Sequence, residues 1–589
     1  MNKKEKQAEK INIKRHSMAH ILATSVLEMF PDAKFGIGPA TDDGFYYDFD
    51  LPRTLIPEDL EILEEKMRKI IKENYKFEMK EMEIDDAIKH FKEVNQLLKV
   101  ELLENLKNNG ESKVSVYKSG PLVDLCKGPH LDSTGEINSS AFKLTRISGA
   151  YWLGDENKQQ LQRIYGVVFN DKKALKQYLF QQEEAKKRDH RKLGKELDLF
   201  VFSDLVGPGL PLFTPKGTAL IDALQARVEK ICKNYGFEKV LTPHLAKEEL
   251  FITSGHAGKY GDENFKVISE KGHEFYLKPV QCPHQTQIYA SRSRSYQDLP
   301  IRYMESNKQY RAEQSGEIGG LRRVYAITVE DGHSFCTPEQ IRDEVKGMIN
   351  IIKDFYTSIG LWDKFWVSLS VRGKENRDKY IGSEKNWDIA ENMLADICKE
   401  MNLNATKMEG EAAIYGPKID FQFKDAFGRE IQIPTVQLDF ATPERFELEY
   451  IDQNGDKKTP VMIHRAILGS YERFLVMLIE STGGKFPVWM APVQVGILPV
   501  SEKFTDYAEE INSILEKSGI RTEMYDQDEG LGKRIALATK QKIPYLLILG
   551  EKEVNDKTVT IRQRGNKKQQ TIAVSEFVEM LQGEIEEEK

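Results

Sequence analysis

Residues 171–197 divide the chain into two parts of different character. This segment contains no proline, has no glycine before Gly194 and mixes acidic with basic side chains throughout. Such a pattern predicts a solvated helix that links two domains. The whole chain of 589 residues is also longer than a single hydrophobic core usually serves, so we expect about three to four domains.

The patterns before the linker predict a flexible segment and one α+β domain. Residues 1–15 are polar and rich in lysine, which is typical of a flexible lead-in. In residues 16–170, HSMAHILATSVLEMF and PEDLEILEEKMRKIIKENY have helical periodicity, and FGIGPATDDGFYYDFD between them predicts a glycine-punctuated hairpin.

Two further domains are predicted after the linker. Residues 198–490 begin with the turn-rich VGPGLPLFTPKGT and continue with mixed helices and strands. Residues 491–589 alternate strand and helix patterns, which predicts a small α/β domain with a mostly parallel core. The overall class is therefore α+β multidomain.

Composition indicates a protein without a membrane span. No stretch approaches the roughly 20 apolar residues that cross a bilayer, and MNKKEKQAEKINIKR lacks the apolar core of a signal peptide. The five cysteines are too scattered for a disulfide framework. We therefore expect a cytoplasmic protein whose cysteines bind metal, catalyse or pack. The net charge of −8 means that any RNA would have to bind local basic patches.

Two histidine and cysteine motifs fall within the first domain. HSMAH places His16 and His20 one helical turn apart, and DLCKGPH places Cys126 and His130 across a Gly-Pro turn. The HxxxH and CxxxH spacings are compatible with a metal site. They are equally compatible with a hydrolytic site in which one imidazole acts as a general base.

Three separated segments of the largest domain carry the most specific patterns. The first, ALIDALQARVEKICKNYGFEKVLTPHL, predicts a long helix, a glycine turn and a strand. The second, YRAEQSGEIGGLRRVYAITVEDGHSFC, predicts a hairpin with Arg311 and Glu313 on one strand and Arg323 on its partner. The third, MIHRAILGSYERFLVMLIE, predicts a helix that carries Gly469, Ser470 and Arg473.

Together these segments resemble the three signature motifs of class II aminoacyl-tRNA synthetases, and in detail those of threonyl-tRNA synthetases. The resemblance covers nearly the whole chain. It implies an antiparallel-sheet catalytic domain, a C-terminal anticodon-binding domain and a homodimer formed through the first motif. The implied reaction joins L-threonine to tRNA(Thr) with ATP and Mg²⁺, through a threonyl-adenylate.

The resemblance also assigns roles in the catalytic domain. It implies that Arg311, Arg323 and Arg473 stabilise phosphate charge, that Glu313 and Gln432 complete the ATP site, and that threonine contacts Asp331, Tyr415, Lys418 and Gln437. One catalytic zinc ion per subunit would be held by Cys282, His333 and His464. From the residues alone, His284 and Cys336 remain alternative ligands.

A zinc ion that binds the substrate hydroxyl group rejects valine but accepts serine. Serine lacks only a methyl group, which is worth about 1–3 kcal/mol of discrimination, so a second, hydrolytic site is expected. The resemblance assigns it to the first domain, as an editing site for seryl-tRNA made of His16, His20, Lys99, Asp124, Cys126 and His130. We favour hydrolysis without metal, with zinc as the alternative.

The resemblance assigns the remaining sites and has two departures. Glu553 and Arg562 match anticodon-reading positions, although an ordinary flavodoxin-like domain fits the same pattern. Only 15 residues precede His16, so the family's N-terminal ubiquitin-like domain is expected to be absent. Tyr325, Ile327 and Val329 replace the usual adenine-pocket residues, and CPHQ replaces the usual CPGH.

Two alternative functions stay open. One is a sibling ligase for proline or serine, and the other is a duplicated synthetase that binds tRNA or messenger RNA as a regulator and no longer charges tRNA.

Overall fold

The computed structural model describes residues 3–41, 44–155, 157–257, 264–375, 377–566 and 568–587. The chain forms two compact units, Met1–Glu183 and Glu184–Lys589. Within the described ranges, no helix is both long enough and apolar enough to cross a bilayer.

The first unit is an α+β fold with two antiparallel sheets. Its strands are β1 (Lys34–Phe35), β2 (Phe45–Asp50), β3 (Glu78–Glu83), β4 (Lys113–Ser119), β5 (Leu122–Leu125), β6 (Phe142–Tyr151) and β7 (Gln160–Val168). Its helices are α1 (Lys3–Met29), α2 (Pro57–Glu73), α3 (Ile84–Glu93) and α4 (Leu97–Asn108). One sheet has the order β1-β2-β7-β6 and the other has the order β3-β4-β5.

Helix α1 corrects the prediction of a flexible N-terminal segment, because the chain is helical from Lys3 onward. Residues 3–15 lack glycine and proline and consist largely of good helix formers. The second half of α1 is anchored by Met18, Ala19, Leu22 and Val26, which are buried in the core of this unit. The buried second half of α1 thus supports residues 3–15 as a helical extension, which the polar composition of that segment did not predict.

The linker is two helices rather than one. Helix α5 spans Lys172–Arg188, and α6 spans His190–Glu196. Asp189 separates them by capping α6, where its side chain accepts a hydrogen bond from the Arg191 backbone N–H at 2.8 Å. His190 is buried, so α6 is not a solvated spacer.

An eight-stranded sheet with the order β10-β14-β15-β22-β19-β18-β16-β17 organises the second unit. Its strands are β10 (Glu238–Lys239), β14 (Ile301–Tyr310), β15 (Ala326–Cys336), β16 (Trp366–Val371), β17 (Thr406–Glu409), β18 (Lys418–Lys424), β19 (Glu430–Asp439) and β22 (Val461–Ser470). Only the edge pairs β10–β14 and β16–β17 are parallel.

Helices surround this sheet, and the remaining short strands form separate small sheets. The helices are α7 (Pro215–Asn234), α8 (Glu248–Ser254), α9 (Cys282–Ala290), α10 (Ile341–Ser358), α11 (Glu384–Glu400), α12 (Ala441–Arg445) and α13 (Tyr471–Thr482). The short strands are β8 (Phe200–Val201), β9 (Leu212–Phe213), β11 (Leu245–Ala246), β12 (Lys266–Ile268), β13 (Glu274–Leu277), β20 (Tyr450–Ile451) and β21 (Lys457–Lys458). Helix α7 starts where Thr214 caps it and Pro215 occupies its first turn. Its buried Leu220, Leu224 and Val228 recur at helical spacing and join the main core.

Two local predictions for the second unit are wrong. Arg311, Glu313 and Arg323 all lie in the loop between β14 and β15, because β14 ends at Tyr310 and β15 begins at Ala326. The third segment is not one helix, since its first half forms β22 and only its second half forms α13. The chain turns at Gly469, whose φ of +58° is left-handed, and Ser470 then caps α13.

The C-terminal part of the second unit is a mixed α/β fold. Its strands β23 (Val495–Pro499), β24 (Thr522–Met524), β25 (Tyr545–Leu549), β26 (Thr558–Gln563) and β27 (Gln569–Ala573) have the order β24-β23-β25-β26-β27. Its helices are α14 (Thr505–Lys517), α15 (Leu531–Lys540), α16 (Glu551–Asp556) and α17 (Val574–Glu586). The core is less parallel than predicted, since β26 and β27 pair antiparallel after the short α16. Arg521 and Arg564 fasten this part to the preceding chain by donating to the Trp489 and Phe486 carbonyls.

Candidate functional site

A cavity of about 500 Å³ lies over the central strands of the eight-stranded sheet. All nine residues predicted to contact ATP or threonine line it, namely Arg311, Glu313, Arg323, Asp331, Tyr415, Lys418, Gln432, Gln437 and Arg473. They come from the β14–β15 loop, β15, β18, β19, the start of α13 and the segment before β18. The fold therefore brings together side chains that are up to 162 positions apart in sequence (473 − 311).

Three possible metal ligands meet at one end of this cavity, where Cys282 and His464 line its wall. The ligand atoms of Cys282, His333 and His464 all lie within 4.8 Å of one another, and all three residues are buried. Cys282 begins α9, while His333 and His464 are directly paired across β15 and β22. The strand register thus fixes the two imidazoles, whose ring centroids are 4.7 Å apart.

Neighbouring side chains orient both imidazoles. His333 Nδ1 lies 2.7 Å from Gln285 Oε1, and His464 Nε2 lies 2.9 Å from Asp439 Oδ2. These contacts use one nitrogen of each ring, and the buried His333 Nε2 has no hydrogen-bond partner among the described residues. An orphaned nitrogen beside a thiol and a second imidazole fits a zinc site with an open position.

The alternative ligands His284 and Cys336 lie outside this group. Cys336 is three positions after His333 on β15, so its side chain points to the opposite face of the sheet, where it is part of the main core. Burial lowers the pKa of His284 to about 4, and its ring lies beside Phe251.

The amino-acid end of the cavity adjoins the metal-ligand group. Burial raises the pKa of the Asp331 carboxyl to about 7, and its Oδ2 lies 3.8 Å from His333 Nε2. Tyr415 stacks on His464 with a centroid separation of 4.8 Å and donates to Gln437 Oε1 at 2.7 Å. The Asp331 carboxyl group, the Tyr415 ring and the Gln437 amide therefore surround the space next to the three possible metal ligands.

The other end of the cavity is rich in arginine. Arg323 Nε lies 2.8 Å from a Glu313 carboxylate oxygen, and Arg473 Nε donates to the Arg322 carbonyl at 3.2 Å. Ile327 and Val329 also line the cavity, whereas Tyr325 packs against Phe265. Such an arrangement can bind a polyphosphate, because guanidinium groups match phosphate oxygens in charge and geometry.

Sequence reasoning missed several residues of this site. His256 lines the cavity, and burial lowers its pKa to about 4. Gln285 and Asp439 orient the two imidazoles, and the fully buried Glu472 accepts from the Thr328 backbone N–H at 2.9 Å. The only sequence signal for His256 was its place in the glycine-bearing stretch SGHAGKYG. The roles of Gln285, Asp439 and Glu472 follow only from which helices and strands the fold makes neighbours.

The first unit holds a second cluster, made of His16, His20, Cys126 and His130, whose ligand atoms lie within 4.8 Å of one another. The Cys126 Sγ atom lies 3.2 Å from His16 Nε2 and 3.3 Å from His130 Nε2. His16 also lines a surface cavity of about 560 Å³ beside Gly128 and Pro129. One edge of the cluster is thus accessible to a ligand.

A buried polar chain supports the second cluster. Asp124 lies 3.6 Å from His20 Nε2 and 2.5 Å from Lys99 Nζ. Tyr47, which the sequence did not indicate, donates to Asp124 Oδ2 at 2.6 Å. All six residues predicted for this site are therefore neighbours.

Burial keeps the second cluster uncharged near neutral pH. It raises the pKa of the Cys126 thiol to about 11 and lowers the pKa of the His130 imidazole to about 2. Burial also lowers the pKa values of His16 and His20. Neutral imidazoles are able to accept a proton from water, which suits hydrolysis.

The predicted anticodon-binding residues lie on adjacent elements. Glu553 is on α16, where it accepts from Thr560 Oγ1 at 2.7 Å and from the Gly550 backbone N–H at 2.9 Å. Arg562 lies two positions after Thr560 on β26, so both project from the same face, and Arg562 is exposed.

Protein-family models match three regions of the chain. Residues 114–165 match the threonyl and alanyl tRNA synthetase second additional domain. Residues 265–482 match the tRNA synthetase class II core domain, and residues 494–584 match an anticodon-binding domain. These matches confirm the predicted fold class.

Relatives match over nearly the whole chain. A threonine–tRNA ligase of Gloeobacter violaceus is 47% identical over 98% of this chain and 92% of its own length. One from Phocaeicola vulgatus is 45% identical over 97% of this chain and 88% of its own length.

Solved structures add a match in three dimensions. A Cryptosporidium parvum structure described as the RNA binding domain of threonyl-tRNA synthetase has a TM-score of 0.64 and 35% identity, and covers 67% of this chain and 98% of its own. A Giardia lamblia prolyl-tRNA synthetase, with a TM-score of 0.55 and 16% identity over 69% of this chain and 81% of its own, shares the fold alone. By sequence, domain content and structure, this chain belongs to the threonine–tRNA ligase family of class II aminoacyl-tRNA synthetases.

Proposed function

We propose that this protein activates L-threonine with ATP as threonyl-adenylate, transfers the threonyl group to tRNA(Thr), and hydrolyses mischarged seryl-tRNA(Thr) in its first unit. The observation that carries the proposal is the shared cavity: a thiol and two imidazoles at one end adjoin an arginine-rich wall at the other. An amino acid at the first end would present its carboxylate to a nucleotide at the second.

Cys282, His333 and His464 would hold zinc in the catalytic unit, since one thiolate and two imidazoles leave a position open. A zinc ion bound there would accept the amino and hydroxyl groups of threonine. The Asp331 carboxylate would accept a hydrogen bond from the threonine hydroxyl group, and valine would leave both the carboxylate and the metal unsatisfied. This geometry argues against a prolyl ligase, and its combination with the His/Cys cluster of the first unit argues against a seryl ligase.

The arginine-rich end would carry the charge of the activation step. The threonine carboxylate attacks the α-phosphorus of ATP, and the bond from the α-phosphorus to the bridging oxygen breaks to release pyrophosphate. Arg311 would stabilise the charge on the α-phosphate, and Arg323 and Arg473 would bind the departing phosphates together with Mg²⁺. Glu313 would accept from the adenine amino group.

Threonine-dependent exchange of pyrophosphate into ATP tests the activation step. We expect exchange with threonine, weaker exchange with serine and at least about 100-fold less with valine. Exchange with proline alone would establish a sibling ligase. Absence of exchange in a protein that binds tRNA would establish a regulator.

Metal analysis tests the ligand set. We expect about one zinc ion per chain, lost in Cys282→Ala and kept in Cys398→Ala. Cys398 is a suitable control because it is also buried but lies in the main core. Retention of zinc in Cys282→Ala would contradict the assignment.

The editing proposal rests on the second cluster. Water attacks the ester carbonyl carbon, and the ester bond breaks to give serine and the free tRNA hydroxyl group. A neutral imidazole would accept the proton of the attacking water, and His16, which lines the surface cavity, is the best placed to do so. We favour a reaction without metal, with a zinc ion held by the same four residues as the alternative.

Clearance of pre-formed seryl-tRNA tests the editing site. We expect His16→Ala and Cys126→Ala to slow the hydrolysis by about 100-fold or more, while threonine activation stays unchanged. His90→Ala is the control, since His90 is on α3, outside the cluster. Normal clearance in both cluster variants would remove the assignment.

Anticodon recognition and dimerisation complete the proposal. Glu553 and Arg562 would contact anticodon bases, whose edges are accessible in an unpaired loop. The catalytic units would pair through the α7–β10 region, where Leu241 is 83% exposed. Leu241→Asp should shift the sedimentation of the protein from dimer to monomer.

A further inference from the structure

The pairing of β15 with β22 is interrupted at Asp331. Glu330 pairs with Gly469 and Gly332 pairs with Arg465, so Asp331 alone lies opposite the segment 466–468 of β22. On its other side, β15 pairs with β14 without interruption. The distortion therefore belongs to β22, which bulges at the amino-acid end of the active-site cavity.

The bulge helps to form the wall of that cavity. Ala466 and Leu468 line it together with Asp331 and His464. A shift of the bulge by a fraction of an ångström would change the distance between the Asp331 carboxylate and the metal-ligand group. Whatever holds the bulge thus sets the dimensions of the amino-acid pocket.

Glu330 accepts hydrogen bonds from backbone N–H groups that have no strand partner where the β15–β22 pairing is interrupted. Its Oε2 accepts from the Ile467 backbone N–H at 2.9 Å and from that of Leu468 at 3.4 Å. The Tyr356 hydroxyl donates to the Ile467 carbonyl at 3.0 Å. Buried backbone groups need such partners, so this carboxylate takes the place of a missing strand contact.

Arg465 holds the Glu330 carboxylate in place. The two side chains form an ion pair, and they are 0% and 2% exposed, respectively. The guanidinium lies 4.8 Å from the Phe237 ring centroid and crosses Gly332 so closely that a Cβ atom there would lie 2.7 Å from Arg465 Nε. A buried ion pair is a poor source of stability, and its best-supported use is to specify one geometry.

We infer that Glu330 and Arg465 are positioning residues that hold the β22 bulge and thereby set how threonine is distinguished from other amino acids. Glu330 does not line the cavity, and Arg465, which borders it, directs its guanidinium to the Glu330 carboxylate. They act through the position of Asp331 relative to His464, the neighbour of Arg465 in sequence. The inference rests on the proposed function, because it requires threonine to bind at that end of the cavity.

Exchange kinetics on the full chain test the inference. Glu330→Gln keeps an acceptor for the backbone N–H groups but removes the charge that pairs with Arg465. We expect KM for threonine to rise about 10-fold or more and the preference for threonine over valine to fall by a similar factor. KM for ATP should stay within about 2-fold, and zinc content should remain near one ion per chain. Arg465→Lys should change the same parameters in the same direction.

An ion pair between α10 and β14 provides the control. Glu344 pairs with Arg302 at 2.5 Å, accepts from Ser334 Oγ at 2.7 Å and is 7% exposed. Glu344→Gln should lower the melting temperature of the protein without changing the threonine-to-valine preference. A comparable change of preference in Glu344→Gln, or unchanged threonine KM and preference in folded Glu330→Gln and Arg465→Lys, would overturn the inference. Absence of threonine-dependent exchange in the unmodified protein would instead refute the proposed function.

Discussion

Asp439 joins the candidate metal site to the chain that follows it. One carboxylate oxygen lies 2.9 Å from His464 Nε2, while the other accepts from the Ala441 and Thr442 backbone N–H groups at 2.8 Å. The first contact leaves Nδ1 as the nitrogen of His464 that is available to a metal. Removing the charge should therefore weaken metal binding without removing a ligand.

We expect Asp439→Asn to lower the zinc affinity about 10- to 100-fold, measured by competition with a chelator. Asp452→Asn is a suitable control, because Asp452 also accepts backbone N–H groups but lies in an exposed turn. Unchanged affinity in Asp439→Asn would show that the carboxylate does not tune the imidazole.

His20 is a second residue with a clear prediction, because burial lowers its pKa well below 6.5. The unfolded chain therefore takes up a proton that the folded imidazole does not, and stability is lost as the pH falls below about 6.5. The loss approaches 1.4 kcal/mol per pH unit for each such histidine. Urea unfolding of residues 1–183 at about pH 7.5 and about pH 5.5 should show this dependence, and His20→Gln should reduce it. An unchanged slope in that variant would contradict the prediction.

The segment that forms β22 and α13 shows why its secondary structure was harder to predict than the residues of the candidate site. MIHRAILGSYERF was predicted to be entirely helical, because its apolar residues suit either a helix or a fully buried strand. The decision comes from the sheet, where β15 and β19 flank β22 on both sides. Gly469 shows the same dependence, since a Cβ atom there would lie 3.1 Å from the Ile433 carbonyl oxygen of β19.

The cap that Ser470 provides for helix α13 leads to a prediction about stability and ATP binding. Its Oγ accepts from the Arg473 backbone N–H at 3.1 Å and so caps α13. Ser470→Ala should cost about 1 kcal/mol of stability and raise KM for ATP several-fold in pyrophosphate exchange, because the first turn carries Arg473. Ser383→Ala removes the equivalent cap of α11 and should cost similar stability with no change in that KM. Equal KM values in the two variants would contradict the prediction.

At the scale of the whole molecule, the sequence predicted the kinds of domain better than their internal contacts. The α+β class followed from periodicity, and the class II core followed from the resemblance of three motifs to a known family; both are confirmed. The contacts of Gln285, Asp439 and Glu330 were not predictable, because they depend on which strands become neighbours and on how helix α9 packs beside them. Strand order is a property of the folded sheet, and a single sequence carries no direct record of it.

The arrangement of the second unit predicts how its two reaction steps separate. The residues assigned to activation all lie between Cys282 and Arg473, whereas Arg562 is on β26 of the C-terminal part. Pyrophosphate exchange requires no tRNA, so Arg562→Ala should leave it unchanged. Transfer to tRNA should lose about 10- to 100-fold in kcat/KM, because a base contact is worth about 1–3 kcal/mol. Lys540→Ala, at an exposed site in the same domain, should change neither step. Loss of exchange in Arg562→Ala would mean that this arginine supports the catalytic fold rather than the anticodon.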